Sequence, residues 1–180
     1  MKHSALLESI EQAFLQLEFS IKLLNYTELH KIVKKEFDTH TEIILAGGNI
    51  TYRENSFDTY DDLISGATNN FNITLAFTAI TLNKSLEDAG FKRTSQKSDT
   101  RNDLATLVYL IRCAYAHDMM RPQWKIRPKN ARLLKVRIGT TQLEIDLSNK
   151  DKEPFDMKDI GGHKNYFELK NSVCEIIQSV

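Results

Sequence analysis

Arg112 and His117 stand five positions apart in the segment RCAYAH, and their side chains suit chemistry at a phosphate group. A guanidinium can hold a phosphate through two parallel hydrogen bonds, and an imidazole titrates near neutral pH. Asp118 follows directly and could orient the imidazole. We therefore predict Arg112 and His117 as catalytic residues, with Asp118 in a supporting role.

A strongly basic stretch begins four residues after His117. Residues 121–137 contain seven Lys or Arg residues, no Asp or Glu, and one tryptophan. Cations with an interleaved aromatic ring suit a phosphate backbone with a stacked base, whereas the bland alternative is a solvated strand face with the tryptophan in the core. We expect RNA contacts from four residues of this stretch and one on the preceding helix: Arg121, Trp124, Lys125, Arg127 and Arg101.

The helix that positions the pair is predicted to span about Thr100 to Asp118, with Ser98 or Asp99 as its cap. On an ideal straight helix Arg112 and His117 lie roughly 140° apart, so they cannot easily converge within one chain. The helix has a broad apolar arc and a second arc of small and aromatic side chains. We expect the second arc to pack against the same helix of a second copy, because symmetric homodimers are common. Such a dimer would join Arg112 of one copy to His117 of the other.

The Arg-x4-His spacing, late in a bundle helix, resembles the signature of the HEPN superfamily (higher eukaryotes and prokaryotes nucleotide-binding). The resemblance implies a helical, commonly dimeric domain and, in many members, a metal-independent ribonuclease of toxin–antitoxin or other defence systems. It also implies that Arg112 and His117 promote attack of a ribose 2′-hydroxyl on the adjacent phosphate. An antitoxin or a protein from a neighbouring gene is then a possible partner.

Two positions depart from the family pattern. Cys113 replaces a residue that is usually polar in active members, and Met119 replaces a tyrosine typical of one toxin branch. The first departure favours an alternative, a non-catalytic HEPN-like dimer that binds nucleotide or RNA or acts as an adaptor. In a purely structural alternative, Arg112 pairs with a bundle carboxylate and His117 caps the helix C-terminus, where a cation is favourable.

The remaining pattern predicts a mainly α fold, a HEPN-like bundle over residues 1–120 followed by a β-hairpin and closing helix over 121–180. Apolar residues at helical spacing predict helices over about 4–24 and 59–89, with a short continuation over 28–37. Residues 38–58 and 92–99 are predicted as loop and polar connection, the first with one brief extended piece. Alternation around Gly139-Thr140-Thr141 predicts a hairpin, and residues 163–178 the last helix.

Composition sets the class of protein. The chain has 180 residues, 24 basic and 24 acidic, and therefore a formal net charge of zero, so a nucleic acid would have to bind a local basic patch. Two cysteines are too few for a disulfide framework, and no apolar run reaches the roughly 20 residues of a membrane span. We expect a cytoplasmic protein that needs no metal or other cofactor and has no membrane partner.

Overall fold

A computed structural model of the protein describes residues 2–39, 41–45, 48–52, 54–93 and 99–180. The predicted mainly helical fold with a late hairpin and a closing helix is confirmed. In chain order the elements are α1 (Lys2–Glu28), α2 (Lys34–Phe37), β1 (Thr41–Leu45), β2 (Gly48–Tyr52), α3 (Tyr60–Asp88), α4 (Thr100–Tyr115), β3 (Leu133–Ile138), β4 (Thr141–Asp146) and α5 (His163–Gln178).

Several boundaries differ from the sequence prediction. Helix α1 begins at Lys2 and extends to Glu28, and in the rest of the predicted continuation only residues 34–37 are helical. Residues 41–45 and 48–52 are not loop, because they form β1 and β2, which pair antiparallel with Ile43 opposite Ile50. Within the predicted connection 92–99, residues 94–98 lie outside the described residues. Asp99 caps α4 as predicted, since its carboxylate accepts the backbone N–H of Asn102 at 2.8 Å.

The chain divides into two compact units, and the divisions fall inside α1 and α3. The unit formed by residues 18–71 is held by polar contacts. The Tyr60 hydroxyl donates to the carbonyl of Thr27 at 2.9 Å, and the carboxylate of Asp38 accepts the backbone N–H groups of Ser56 and Phe57. The two bonds to Asp38 satisfy backbone N–H groups in the segment before α3.

The other unit, residues 1–17 and 72–180, has its core around α4 and α5. Phe14 of α1 stacks on Tyr166 of α5 with ring centroids 5.7 Å apart, and the Tyr166 hydroxyl bonds the Thr78 hydroxyl of α3 at 2.8 Å. Burial raises the pKa of Tyr166, so this hydroxyl stays protonated. The hairpin and the closing helix therefore share one unit with α4.

The β3–β4 hairpin packs on α4. In β3 every second residue is buried, namely Leu134, Val136 and Ile138, as expected for a strand with one face on a core. The turn needs Gly139, whose φ is 56° and where a Cβ would come within 3.0 Å of the Glu168 carboxylate. No helix among the described residues is long and apolar enough to cross a membrane.

Candidate functional site

Helix α4 ends at Tyr115, two residues before His117, and not at Asp118 as predicted. The Asp118 carboxylate accepts the backbone N–H groups of Met120 and Arg121 at 2.9 and 3.0 Å, so it closes a turn just past the helix. Pro122 follows and cannot continue a helix. His117 therefore lies in a turn after the helix, and the separation of about 140° from Arg112 on an ideal helix does not apply to it.

Arg112 and His117 line the same cavity, which has a volume of about 240 Å³ and also receives Lys125 and Arg127. Arg112 is half-buried on α4, whereas His117 is exposed. The two residues therefore line one cavity of a single chain, because α4 does not continue to His117. The lining therefore combines a guanidinium, an imidazole and two further cations with one acid, Asp151, whose carboxylate accepts the backbone N–H of Ile126.

Lys125 and Arg127 reach this cavity because residues 124–127 alternate between the core and the surface. Trp124 is 0% exposed and Ile126 is 7% exposed, while Lys125 and Arg127 are exposed. The backbone is fixed by an N–H from Trp124 to the carbonyl of Glu153 at 2.8 Å, and by an N–H from Ile126 to the Asp151 carboxylate at 2.8 Å. Period-two alternation places the two cations on one side.

Trp124 is not an RNA-stacking residue, and this prediction is corrected by its complete burial. Its ring packs edge-on against Phe155 at 4.9 Å, and its indole N–H donates to the Asp159 carboxylate at 2.9 Å. Burial raises the pKa of Asp159, but hydrogen bonds from Lys150 and Trp124 outweigh it, so the net shift is downward. Residues 151–159 thus hold the basic segment in place through contacts with Trp124 and Ile126.

An aromatic cluster joins the end of α4 to this basic segment. Tyr115, the last helical residue, meets Phe155 edge-on at 5.7 Å, and Phe155 in turn contacts Trp124. Burial raises the pKa of Tyr115, which packs in the core as a neutral phenol. The cluster explains why Arg112 and Lys125 line a common cavity.

The first part of the second face of α4 is covered within the chain itself. Asn102, Ala105 and Thr106, expected to meet a second copy, are buried here, and the next residues along this face, Tyr109 and Cys113, line cavities. Tyr109 and Cys113 are half-buried and Ala116 is exposed, so the later part of this face is only partly covered. Pairing of two copies through α4 stays a prediction.

Three other predicted residues lie outside this cavity. Arg101 lines a separate cavity of about 500 Å³ near Gly139, and its position on α4 lies about 16 Å along the helix axis from Arg112. Arg121 is exposed and its backbone N–H closes the Asp118 turn. Asp118 serves that turn and is not among the lining residues, so the structure does not bring it to His117 as a support.

The structural alternative for Arg112 required a carboxylate partner. Across residues 99–180 and the other described ranges, no ion pair involves Arg112. His117 lies beyond the last helical residue, and the helix end is closed by the backbone N–H of Ala116, which donates to the carbonyl of Arg112. Both side chains instead contribute to the wall of a cavity.

Tyr109, on α4, lines two cavities at once. One is the cavity of Arg112, and the other has a volume of about 520 Å³. The thiol of Cys113 and partial burial raise the pKa of Tyr109, although the charges of Arg127 and Arg93 oppose the rise. Only tertiary packing brings Arg93 to this helix face, so no local sequence pattern identifies it.

Within the described part of the chain, no group of three His, Cys, Asp or Glu side chains is arranged to hold a metal ion. No protein-family model matches the chain, and no curated protein or solved structure shows significant similarity to it. The resemblance to the HEPN superfamily thus rests on the Arg112 to His117 segment and stays a prediction.

Proposed function

We propose that this protein is an endoribonuclease that cleaves RNA at the Arg112–His117 cavity without a metal ion. The observation that carries the proposal is the presence of Arg112, His117, Lys125 and Arg127 in the wall of one cavity. A phosphodiester is the group that this combination of cations and an imidazole recognises best.

The chemistry follows from the two side chains. His117 accepts the proton of a ribose 2′-hydroxyl, whose oxygen attacks the adjacent phosphorus and expels the 5′-oxygen of the next nucleotide. A new O2′–P bond forms, the P–O5′ bond breaks, and the leaving oxygen takes a proton from an acid or from water. Arg112 stabilises the charge that grows on the phosphate oxygens. The products are a 2′,3′-cyclic phosphate and a 5′-hydroxyl.

The test uses the purified chain with a pool of single-stranded RNA in buffer containing EDTA. We expect cleavage to cyclic phosphate ends, and a loss of about 100-fold or more in rate for His117→Ala, the usual scale of general acid–base catalysis. His163→Ala is the matched control, because His163 is exposed at the start of α5 and lines neither cavity. Equal cleavage by wild type and His117→Ala would overturn the mechanism.

Arg112→Lys separates bidentate phosphate binding from simple charge. Lysine keeps the positive charge but cannot form two parallel hydrogen bonds, so we expect kcat to fall while the salt dependence of binding stays nearly unchanged. An Arg112→Lys variant with full kcat would show that a point charge is sufficient.

A second candidate function is RNA binding without catalysis. Two observations favour it. The Asp118 carboxylate accepts a backbone N–H in a turn and does not support His117, and Cys113, where active HEPN members usually have a polar residue, lines the cavity beside Arg112. In this case RNA binds, Arg112→Ala weakens the binding, and no cleavage product forms at any pH. A role as a toxin or defence component belongs to the first candidate, and it predicts slowed growth of a host that expresses the wild type but not His117→Ala.

A further inference from the structure

A second basic cavity lies against the first and shares Tyr109 with it. Its volume of about 520 Å³ is roughly twice that of the Arg112 cavity. The chain from Lys125 to Arg132 runs along both, since Lys125 and Arg127 line the first and Lys129 and Arg132 line the second. The two cavities are therefore neighbouring parts of one surface within a single compact unit.

The second cavity carries an excess of positive charge. Four cations line it, Lys92, Arg93, Lys129 and Arg132, against one acid, Glu87. Glu87 lies 3.6 Å from Arg93 and offsets part of that charge. Among the described residues, neither Lys92 nor Lys129 forms an ion pair. Two ammonium groups in the wall are thus available to an anion.

The two arginines of this cavity are held in place. Arg132 donates to the carboxylate of Asp103 at 2.6 Å, and Asp103 is 0% exposed. The guanidinium of Arg93 lies over the ring of Tyr109, 3.6 Å from its centroid. A guanidinium fixed before binding loses less conformational entropy when a ligand arrives, so this wall is preorganised for an anion.

We propose that the second cavity binds the phosphate of a nucleotide next to the scissile one, so that the substrate is single-stranded RNA extending across Tyr109. The inference rests on the proposed function for the location of the scissile phosphate. Lys92 and Lys129 supply charge to the flanking phosphate, and the Arg93–Tyr109 pair forms the ridge between the two subsites. A chain of linked phosphates suits a surface on which cations continue from one cavity to the next.

The experiment measures binding of a fluorescein-labelled 2′-O-methyl RNA octamer, which lacks the attacking hydroxyl and cannot be cleaved. The proteins are wild type, Lys92→Ala/Lys129→Ala, and the control Lys158→Ala/Lys164→Ala, which removes the same charge from exposed positions outside both cavities. We expect only the first variant to bind more weakly and to reduce the slope of log K against log salt, by about 0.7 for the loss of one single-strand phosphate contact. A labelled 2′-O-methyl dinucleotide has a single phosphate, which occupies only the Arg112 cavity. It should therefore bind Lys92→Ala/Lys129→Ala as it binds wild type.

The outcomes separate this inference from the proposed function. If wild type cleaves RNA but both double variants bind the octamer like wild type, the second subsite is wrong and the nuclease stands. If no RNA is cleaved but Lys92→Ala/Lys129→Ala alone loses affinity, the subsite stands and the nuclease is wrong. An equal loss in both double variants indicates a diffuse charge effect and overturns the inference.

Discussion

Asp103 and Arg132 form a charged pair in which the carboxylate is fully buried and the guanidinium is about one quarter exposed, with 2.6 Å between nitrogen and oxygen. The other carboxylate oxygen accepts the backbone N–H of Lys135 at 2.9 Å. One side chain of α4 thus anchors both β3 and an arginine of the basic surface. The pair couples the stability of the fold to the shape of the proposed RNA site.

Replacing Asp103 should destabilise the protein strongly. Asp103→Ala removes the partner of Arg132 and leaves the N–H of Lys135 without its acceptor, and we expect a loss of about 3 kcal/mol in the free energy of unfolding. Urea denaturation followed by far-ultraviolet circular dichroism measures it. The control is Glu144→Gln, which breaks the exposed pair with Lys135 and should cost less than about 1 kcal/mol. Similar losses in the two variants would contradict the anchoring role.

Mixing two inactive variants tests whether the site is made within one chain. Because Arg112 and His117 line one cavity of the same chain, a mixture of Arg112→Ala and His117→Ala proteins should recover no cleavage. A site shared across a dimer would instead regain activity, because half of the sites in a mixed dimer would then hold both groups. The mixture is refolded together and assayed on RNA, with wild type diluted into either variant as the control. Recovered activity would instead support a composite site that is shared between two copies of the chain.

The two cysteines should differ in reactivity and in the effect of their modification. Burial raises the pKa of the Cys174 thiol, so less of it is thiolate at neutral pH and it should react slowly. Cys113 lines the Arg112 cavity, so an iodoacetamide adduct there should weaken RNA binding. Peptide mapping by mass spectrometry gives the site, and Cys113→Ala, which should keep binding after the same treatment, is the control. Undiminished binding with Cys113 fully modified would place RNA elsewhere.

Acid should weaken the contacts around Trp124. The pKa of Asp159 is lowered in the folded state, so its contribution to stability is present above the unfolded value of about 3.9 and is lost as the pH falls below it. We expect the melting temperature of wild type to fall more steeply than that of Asp159→Asn as the pH falls from about 4 to about 2. Differential scanning calorimetry across this range measures the difference, and parallel curves would contradict the assignment.

Sequence periodicity was sufficient for the elements whose ends carry strong local signals. The predicted last helix matches α5 at residues 163–178, and the turn at Gly139 lies where the alternation places it. It was insufficient for the end of α4, where the side chain of Asp118 and the nearby Pro122 decide the boundary. It also missed β1–β2, in which Ile43, Ile44 and Leu45 are consecutive and do not alternate with polar residues.

The site was only partly predictable for a related reason. Arg112, His117, Lys125 and Arg127 are near one another in the sequence, and the structure places them in one cavity. Lys92 and Arg93 come from the segment before α4 and meet Lys129 only through the tertiary fold. Trp124 was misplaced because a ring among cations can face either way, and alternation alone does not say which face of a strand is covered.

The burial of Trp124 has a practical consequence. The chain contains one tryptophan, Trp124. Its indole N–H donates to Asp159, and the next residue, Lys125, lines the Arg112 cavity. Its emission therefore reports on one known position without any label. A ligand that displaces residues 124–127 would change the wavelength and intensity of that fluorescence, so the native protein carries its own optical probe of the proposed site.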